Sequence, residues 1–480
     1  MRKQDIYQLI GSLSATEKKV FKEKYATKGE LNFIRLFDCI AKGQARTDEE
    51  VREVFAGENF LKHLHKTKAY LYDGLLDTLL TPLNENYRRL QILRKLQLAE
   101  VLQSRKLLDQ AENALLEALE MAKESDELEL ELFVVNELSV IQSFLHKKQT
   151  YLKELNEAQQ KIAEYIKYRD FFATVLEAYN NRGKKMPSSV EQFAEAPLFK
   201  PPLEFKGARG KQAYETCRSL VNVVRKKYEL ALEGNLIIGE LMKKTMHRSS
   251  STEVGYVNSL FNIYLTQRDS GKPYSETLKL IEDFKPYGRM AKSQRFVCLA
   301  RIKLQSYLDE KEPGYPSTLL DWVKKELKEN ESLLNELDMV KLRFALASVL
   351  LKAQDYSTAL DYLFQINNSK EAKENRTIIY RVTQLYQLIA YYESGEFERL
   401  ANALRNYKYY QKTDDSFYLI EKETAAFLSR VLNVPDKKQR LKLKQEFAAQ
   451  LYDSAKNELR AGLAYLESIS WVKRLPVLSA

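Results

Sequence analysis

Apolar residues recur along most of this chain at intervals of three and four. The clearest stretch is Leu342 to Leu363. Leu342, Ala345, Leu346, Val349, Leu350 and Ala353 fall on one face at 3.6 residues per turn. Lys341, Ser348 and Lys352 fall largely off that stripe. Gln354-Asp355-Tyr356 interrupts the run, and Ser357 stands where a helix cap is needed. Ala359, Leu360, Leu363 and Ile366 then form a second stripe. A helix pair of this kind cannot shelter both stripes alone, so each pair must lean on a neighbour.

Residues 1–83 carry a different pattern. Ser14 with Glu17, and Thr47 with Glu50, have the spacing of capping boxes. Phe33, Leu36, Phe37 and Ile40 share a face, and Gly57 breaks the chain. Leu61, Leu64, Leu71, Leu75, Leu76 and Leu79 predict one long helix from Glu58 that ends at Pro82. These features describe an N-terminal helical bundle or cap. Helix pairs follow over 84–181, with one helix from Tyr151 to about Tyr168 and another from Phe171. Residues 182–211 hold four prolines, at 187, 197, 201 and 202. They are expected to form an irregular loop or hinge with a short helix at Val190 to Ala194. Helix pairs resume over 212–480 and finish with capping helices. Positions comparable to Ala359 are read at Gly239, Thr277, Thr318 and Leu400, a period near 41 residues.

A small residue in the first helix, an acidic-aromatic turn and an Ala early in the second helix carry a resemblance. Ala347, Gln354-Asp355-Tyr356 and Ala359 form one copy. Gly395-Glu396-Phe397 with Leu400 forms a second, and Ala99, Lys106-Leu107-Leu108 and Ala111 a third. Together they resemble tetratricopeptide-type repeats. That resemblance implies an all-α fold, a right-handed α–α superhelix closed at one end by the N-terminal bundle. It also implies a surface for a protein or peptide partner.

Composition agrees with helices and changes the picture elsewhere. The 480 residues include only 16 Gly and 11 Pro, with 30% charged and 44% hydrophobic residues. Alternating β-branched runs are nearly absent. Cys39, Cys217 and Cys298 form no pair motif, so buried thiols in a reducing, cytoplasmic setting are expected. No secretory leader or membrane-spanning run is evident. The net charge is +10. Residues 182–311 carry 24 Lys/Arg against 14 Asp/Glu and so hold that whole excess. Arg225, Lys226, Lys227, Lys243, Lys244 and Arg248 stand on two adjacent predicted helices. Brought together, they would offer a positive surface to an acidic partner or nucleic acid. Apart, they are ordinary solvated faces.

Candidate chemistry is sparse. No phosphate loop, nucleophile elbow or metal-ligand spacing occurs. His63 and His65 are two apart on a helix and cannot share an ion. No enzyme activity, cofactor or metal is expected. The expectation is a non-enzymatic scaffold, with Tyr409 and Tyr410 as candidates on a concave partner-binding surface. The alternative is a nucleic-acid-binding regulator of helix–turn–helix type, in which Lys62, His63, Lys66 and Tyr70 project from the helix after Gly57.

Overall fold

A computed structural model describes residues 5–25, 32–145, 151–180, 193–202, 204–310, 314–370, 372, 378–413, 419–434, 436–453, 466–467 and 469–472. Among these residues every regular element is helical and no strand occurs. No helix is long and apolar enough to cross a membrane. The chain divides into two compact units, 1–162 with 247–249, and 163–246 with 250–480. The division falls inside a helix.

The first unit opens with α1 (Asp5–Ser12), α2 (Ala15–Tyr25), α3 (Asn32–Ala41) and α4 (Asp48–Val54). A 3-10 turn, Asn59–His63, leads into α5 (Leu64–Asn86). The Ser14 box forms as expected: Glu17 N–H donates to Ser14 Oγ at 3.2 Å, and Ser14 N–H donates to Glu17 at 2.7 Å. Thr47 accepts from Glu50 N–H at 3.2 Å. The expected single helix from Glu58 to Pro82 is corrected at both ends. Its first turn is 3-10, and α5 runs past Pro82 to Asn86. A proline removes one donor without stopping a helix that its neighbours hold. Phe21, Phe37, Leu71 and Leu75 form the bundle's core. The Phe21 and Phe37 rings lie 4.7 Å apart.

Still in this unit, α5, α6 (Arg88–Ser104), α7 (Leu108–Glu124) and α8 (Leu128–Phe144) pack each on the next. Next comes α9 (Leu152–Asn180), one helix where two were expected. Nothing between Tyr168 and Phe171 is a breaker: Arg169-Asp170 continues the helix.

The second unit contains α10 (Ala208–Val224), α11 (Tyr228–Thr245), α12 (Ser250–Asp269), α13 (Ser275–Asp283), α14 (Arg289–Asp309) and α15 (Ser317–Asn330). It continues with α16 (Glu336–Lys352), α17 (Tyr356–Asn368), α18 (Ile378–Ser394), α19 (Phe397–Thr413), α20 (Leu419–Leu432) and α21 (Lys437–Asp453). α12, α14, α16, α18 and α20 each pack on the next, with the intervening helices set between them. One continuous core runs from Phe296 to Val472. Within the expected 182–211 loop, residues 193–195 are helical, Pro197–Phe199 form a 3-10 turn, and α10 begins at Ala208, so the irregular stretch ends earlier than expected. Val190 lies outside the described residues.

One joint recurs. Lys106, Asp126, Lys226, Gln354, Gly271 and Gly395 all have φ between 54° and 79°. At each, the left-handed residue donates its N–H three residues back, and the next residue donates five residues back. Gln354 N–H meets Leu351 O at 3.2 Å and Asp355 N–H meets Leu350 O at 2.9 Å. This is a Schellman closure, which satisfies the carbonyls a helix end leaves open. In five joints the side chains seven before and five after the left-handed residue are both buried: Ala99 with Ala111, Leu119 with Glu131, Ser219 with Ala231, Ala347 with Ala359, and Leu388 with Leu400. Gly234 of α11 lies so close to α10 that a Cβ there would stand 2.3 Å from Ser219 Oγ.

The joints correct three expectations. The α11 position matching Ala359 is Ala231, not Gly239. In α15 Thr318 is exposed and Leu320 is buried. The cap of α17 is Asp355, which accepts from Thr358 N–H at 3.1 Å; it is not Ser357. Ser348 and Lys352, which fall off the apolar stripe, are nevertheless only 3% and 7% exposed. Cys39, Cys217 and Cys298 are all buried, as expected. Burial pushes the thiols of Cys217 and Cys298 up to about 12.

Candidate functional site

A groove of about 950 Å³ opens in the second unit, formed by α17, α18 and α19. Helical spacing builds its walls. Tyr380, Gln384, Gln387 and Tyr391 recur every three or four residues on α18. Arg399, Asn402, Asn406 and Tyr410 do the same on α19, and α17 adds Phe364 and Asn367.

The polar groups are mostly neutral. Among the described residues Arg399 is the one charged side chain lining the groove, and Glu396 holds it at 2.7 Å. Asn367 Nδ2 donates to Gln387 Oε1 at 2.8 Å, and Gln387 Nε2 donates to Tyr391 OH at 3.2 Å. Asn367 Oδ1 is buried and accepts no hydrogen bond. A buried acceptor in this state favours an incoming donor by the desolvation it has already lost. Side-chain amides offer a donor and an acceptor together, the same pair a peptide backbone presents. Tyr380 and Tyr410 meet edge-on with centroids 6.3 Å apart.

Beneath the groove lies a buried ion pair, Arg381 Nε to Glu421 Oε1 at 3.6 Å. Both side chains are almost wholly out of water. Tyr407 packs beside them, and its hydroxyl is pushed well above the usual tyrosine range by burial first and by the Glu421 charge second.

No known protein family, curated protein or solved structure matches this chain. The site is therefore read from its own geometry.

The expected candidates scatter. Tyr410 lines the groove, whereas Tyr409 is 73% exposed and lines none of it. Tyr386, Tyr391, Tyr392 and Tyr407 are core residues. Arg225, Lys226 and Lys227 surround the joint before α11, while Lys243 and Lys244 lie in its last turn. Sixteen residues of helix separate Lys227 from Lys243, about 24 Å, so the two groups do not converge. Arg248 belongs to the first unit. Its guanidinium pairs with buried Glu127 at 3.1 Å and donates to the carbonyls of Ser125 and Asp126. Arg89 holds the other Glu127 oxygen at 2.9 Å.

In the N-terminal bundle, Lys62, His63, Lys66 and Tyr70 are all exposed. Lys68, two positions from Lys66, is buried instead. It pairs with Asp48 at 2.6 Å, and Asp48 also accepts from Tyr7 OH at 2.7 Å. Among the described residues no group of three His, Cys, Asp or Glu is placed to hold a metal.

Sequence reading missed two sets. The groove amides sit on three helices, and a periodicity scan records each only as a polar position. The run Lys437-Lys438-Gln439-Arg440-Leu441-Lys442-Leu443-Lys444 lies outside the 182–311 segment that holds the net excess, so a charge count by segment passes over it. A window of eight residues finds it.

Proposed function

We propose that this chain is a non-enzymatic helical-repeat scaffold of tetratricopeptide-like, right-handed superhelical form. Its α17–α18–α19 groove takes an extended, largely uncharged peptide segment of a protein partner. One observation carries the reading: a wide open groove walled by amides and phenols. Asn402 and Asn406, exposed and one turn apart, can each offer a donor and an acceptor to a peptide unit. Selection of a displayed peptide library on the full chain tests it. Enriched sequences should lose about tenfold in affinity with Asn402→Ala or Asn406→Ala. Binders unaffected by either change would remove the groove from the proposal.

A second reading rests on the exposed Lys62, His63, Lys66 and Tyr70 face of the N-terminal bundle. Lys68 offsets Asp48 there, removing one charge that would oppose phosphate. A nucleic-acid-binding regulator with a repeat sensor follows from it. Its binding must weaken steeply with salt. A gel-shift assay showing no complex at low salt would end this reading.

A further inference from the structure

The start of α21 frames a second cavity, independent of the peptide groove. It measures about 490 Å³ and is lined by Tyr392, Glu393, Phe397, Lys438, Arg440, Leu441 and Lys444. Arg440 and Lys444 are one turn apart, so their heads reach the same side of the helix. The Arg440 guanidinium stands 5.1 Å from the Phe397 ring centroid, and Lys444 Nζ 4.9 Å from that of Tyr392. Arg440 Nε also donates to the Val434 carbonyl at 2.6 Å. These contacts fix the cationic heads without neutralising them. Among the described residues no carboxylate pairs with Lys438, Arg440 or Lys444.

The two acids nearby are committed elsewhere. Glu393, the one carboxylate in the lining among the described residues, accepts the Trp471 indole N–H at 2.9 Å. Asp436 caps α21 by accepting from the N–H groups of Lys438 and Gln439, at 3.3 and 3.1 Å. The helix end is thus already closed, and the cavity's charge comes from its side chains.

We propose that this cavity binds a phosphomonoester. Three cations against one carboxylate suit a dianion better than a single carboxylate group. A guanidinium fork with two ammonium points matches the several oxygens of a phosphate. The cavity is also far larger than a bare phosphate ion, and its size falls in the range of small-molecule sites. The space beside the Phe397 and Tyr392 rings therefore receives the ester's carbon carrier.

Calorimetric titration of the full chain tests this, with inorganic phosphate, N-acetyl-O-phosphoserine amide and adenosine monophosphate at matched ionic strength. The expected result is one saturable site for at least one ester, tighter than for inorganic phosphate. Lys444→Gln and Lys438→Glu should each weaken it by about tenfold, while Lys243→Glu leaves it unchanged. Lys438 is exposed, so its variant folds even if a change at Lys444 does not. Preference for the phosphoserine amide assigns a modified protein as source; preference for the nucleotide assigns a small metabolite. No saturable binding at millimolar ester, or binding that Lys243→Glu weakens as much as Lys438→Glu, overturns the proposal.

Discussion

Lys352 Nζ lies 3.1 Å from the carbonyl oxygen of Tyr307, at the last turn of α14. It also donates to the carbonyls of Leu308 and Glu310 and stands 5.6 Å from the Tyr307 ring. An ammonium at a helix C-terminus meets the negative end of the helix dipole. Lys352→Met keeps the apolar stem but removes a charged donor shared by three carbonyls, leaving that of buried Tyr307 with only the 3.3 Å bond from Glu310 N–H. It should cost about 2 kcal/mol, read as a lower urea midpoint.

Arg381 and Glu421 join α18 to α20 without water to screen them. Removing one partner strands the other charge. Glu421→Gln alone should destabilise by about 3–4 kcal/mol, while Arg381→Met with Glu421→Leu should recover most of that loss. A double-mutant cycle measures the coupling. A double-variant effect equal to the sum of the two single effects would mean the pair holds nothing.

Gly395 closes its joint at φ +79°, and a Cβ placed there meets nothing within 4 Å. The only penalty for Gly395→Ala is therefore its left-handed backbone, about 1 kcal/mol. The reverse change, Gln354→Gly, relieves that strain while loosening the unfolded chain. It should move stability by less than about 1 kcal/mol. Thermal unfolding of the two variants checks the asymmetry.

Burial holds Tyr214, Cys217 and Cys298 at about 12. Each group is neutral in the folded chain and ionises more easily once unfolded. The stability they contribute is therefore complete below pH 9 and is lost as pH rises from 9 towards 12. Urea midpoints taken across that window should fall steadily. A flat profile would contradict it. Thiol-reactive dye at pH 8 should label the folded chain only as fast as it opens.

Much of the fold is legible in the residues, and its failures have physical causes. The Leu342–Ala353 stripe reads only in part: Leu342, Leu346, Val349 and Leu350 are enclosed, but so is every residue from 346 to 352, because α16 is covered on more than the one expected face. The Ser14 capping box reads correctly because both partners are local. Lys352 misleads because its neighbours on α14 are over forty residues away in sequence. The joints escape notice because Lys106, Asp126, Lys226 and Gln354 adopt a conformation usually signalled by glycine. That slip moved the register in α11 from Ala231 to Gly239. Tyr410 was within reach as a groove residue because tyrosines crowd the last repeats. Asn367, Asn402 and Asn406 were not, since only packing makes three separate helices share one wall.

The repeated left-handed joint has a wider consequence. Each hinge settles its own backbone groups, so neither neighbouring rod relies on a distant donor to finish its end. Such a chain grows or shrinks in evolution by whole rod pairs, with the seam re-formed locally each time. Drift can then erase every shared side chain at the corners and leave the bend itself intact.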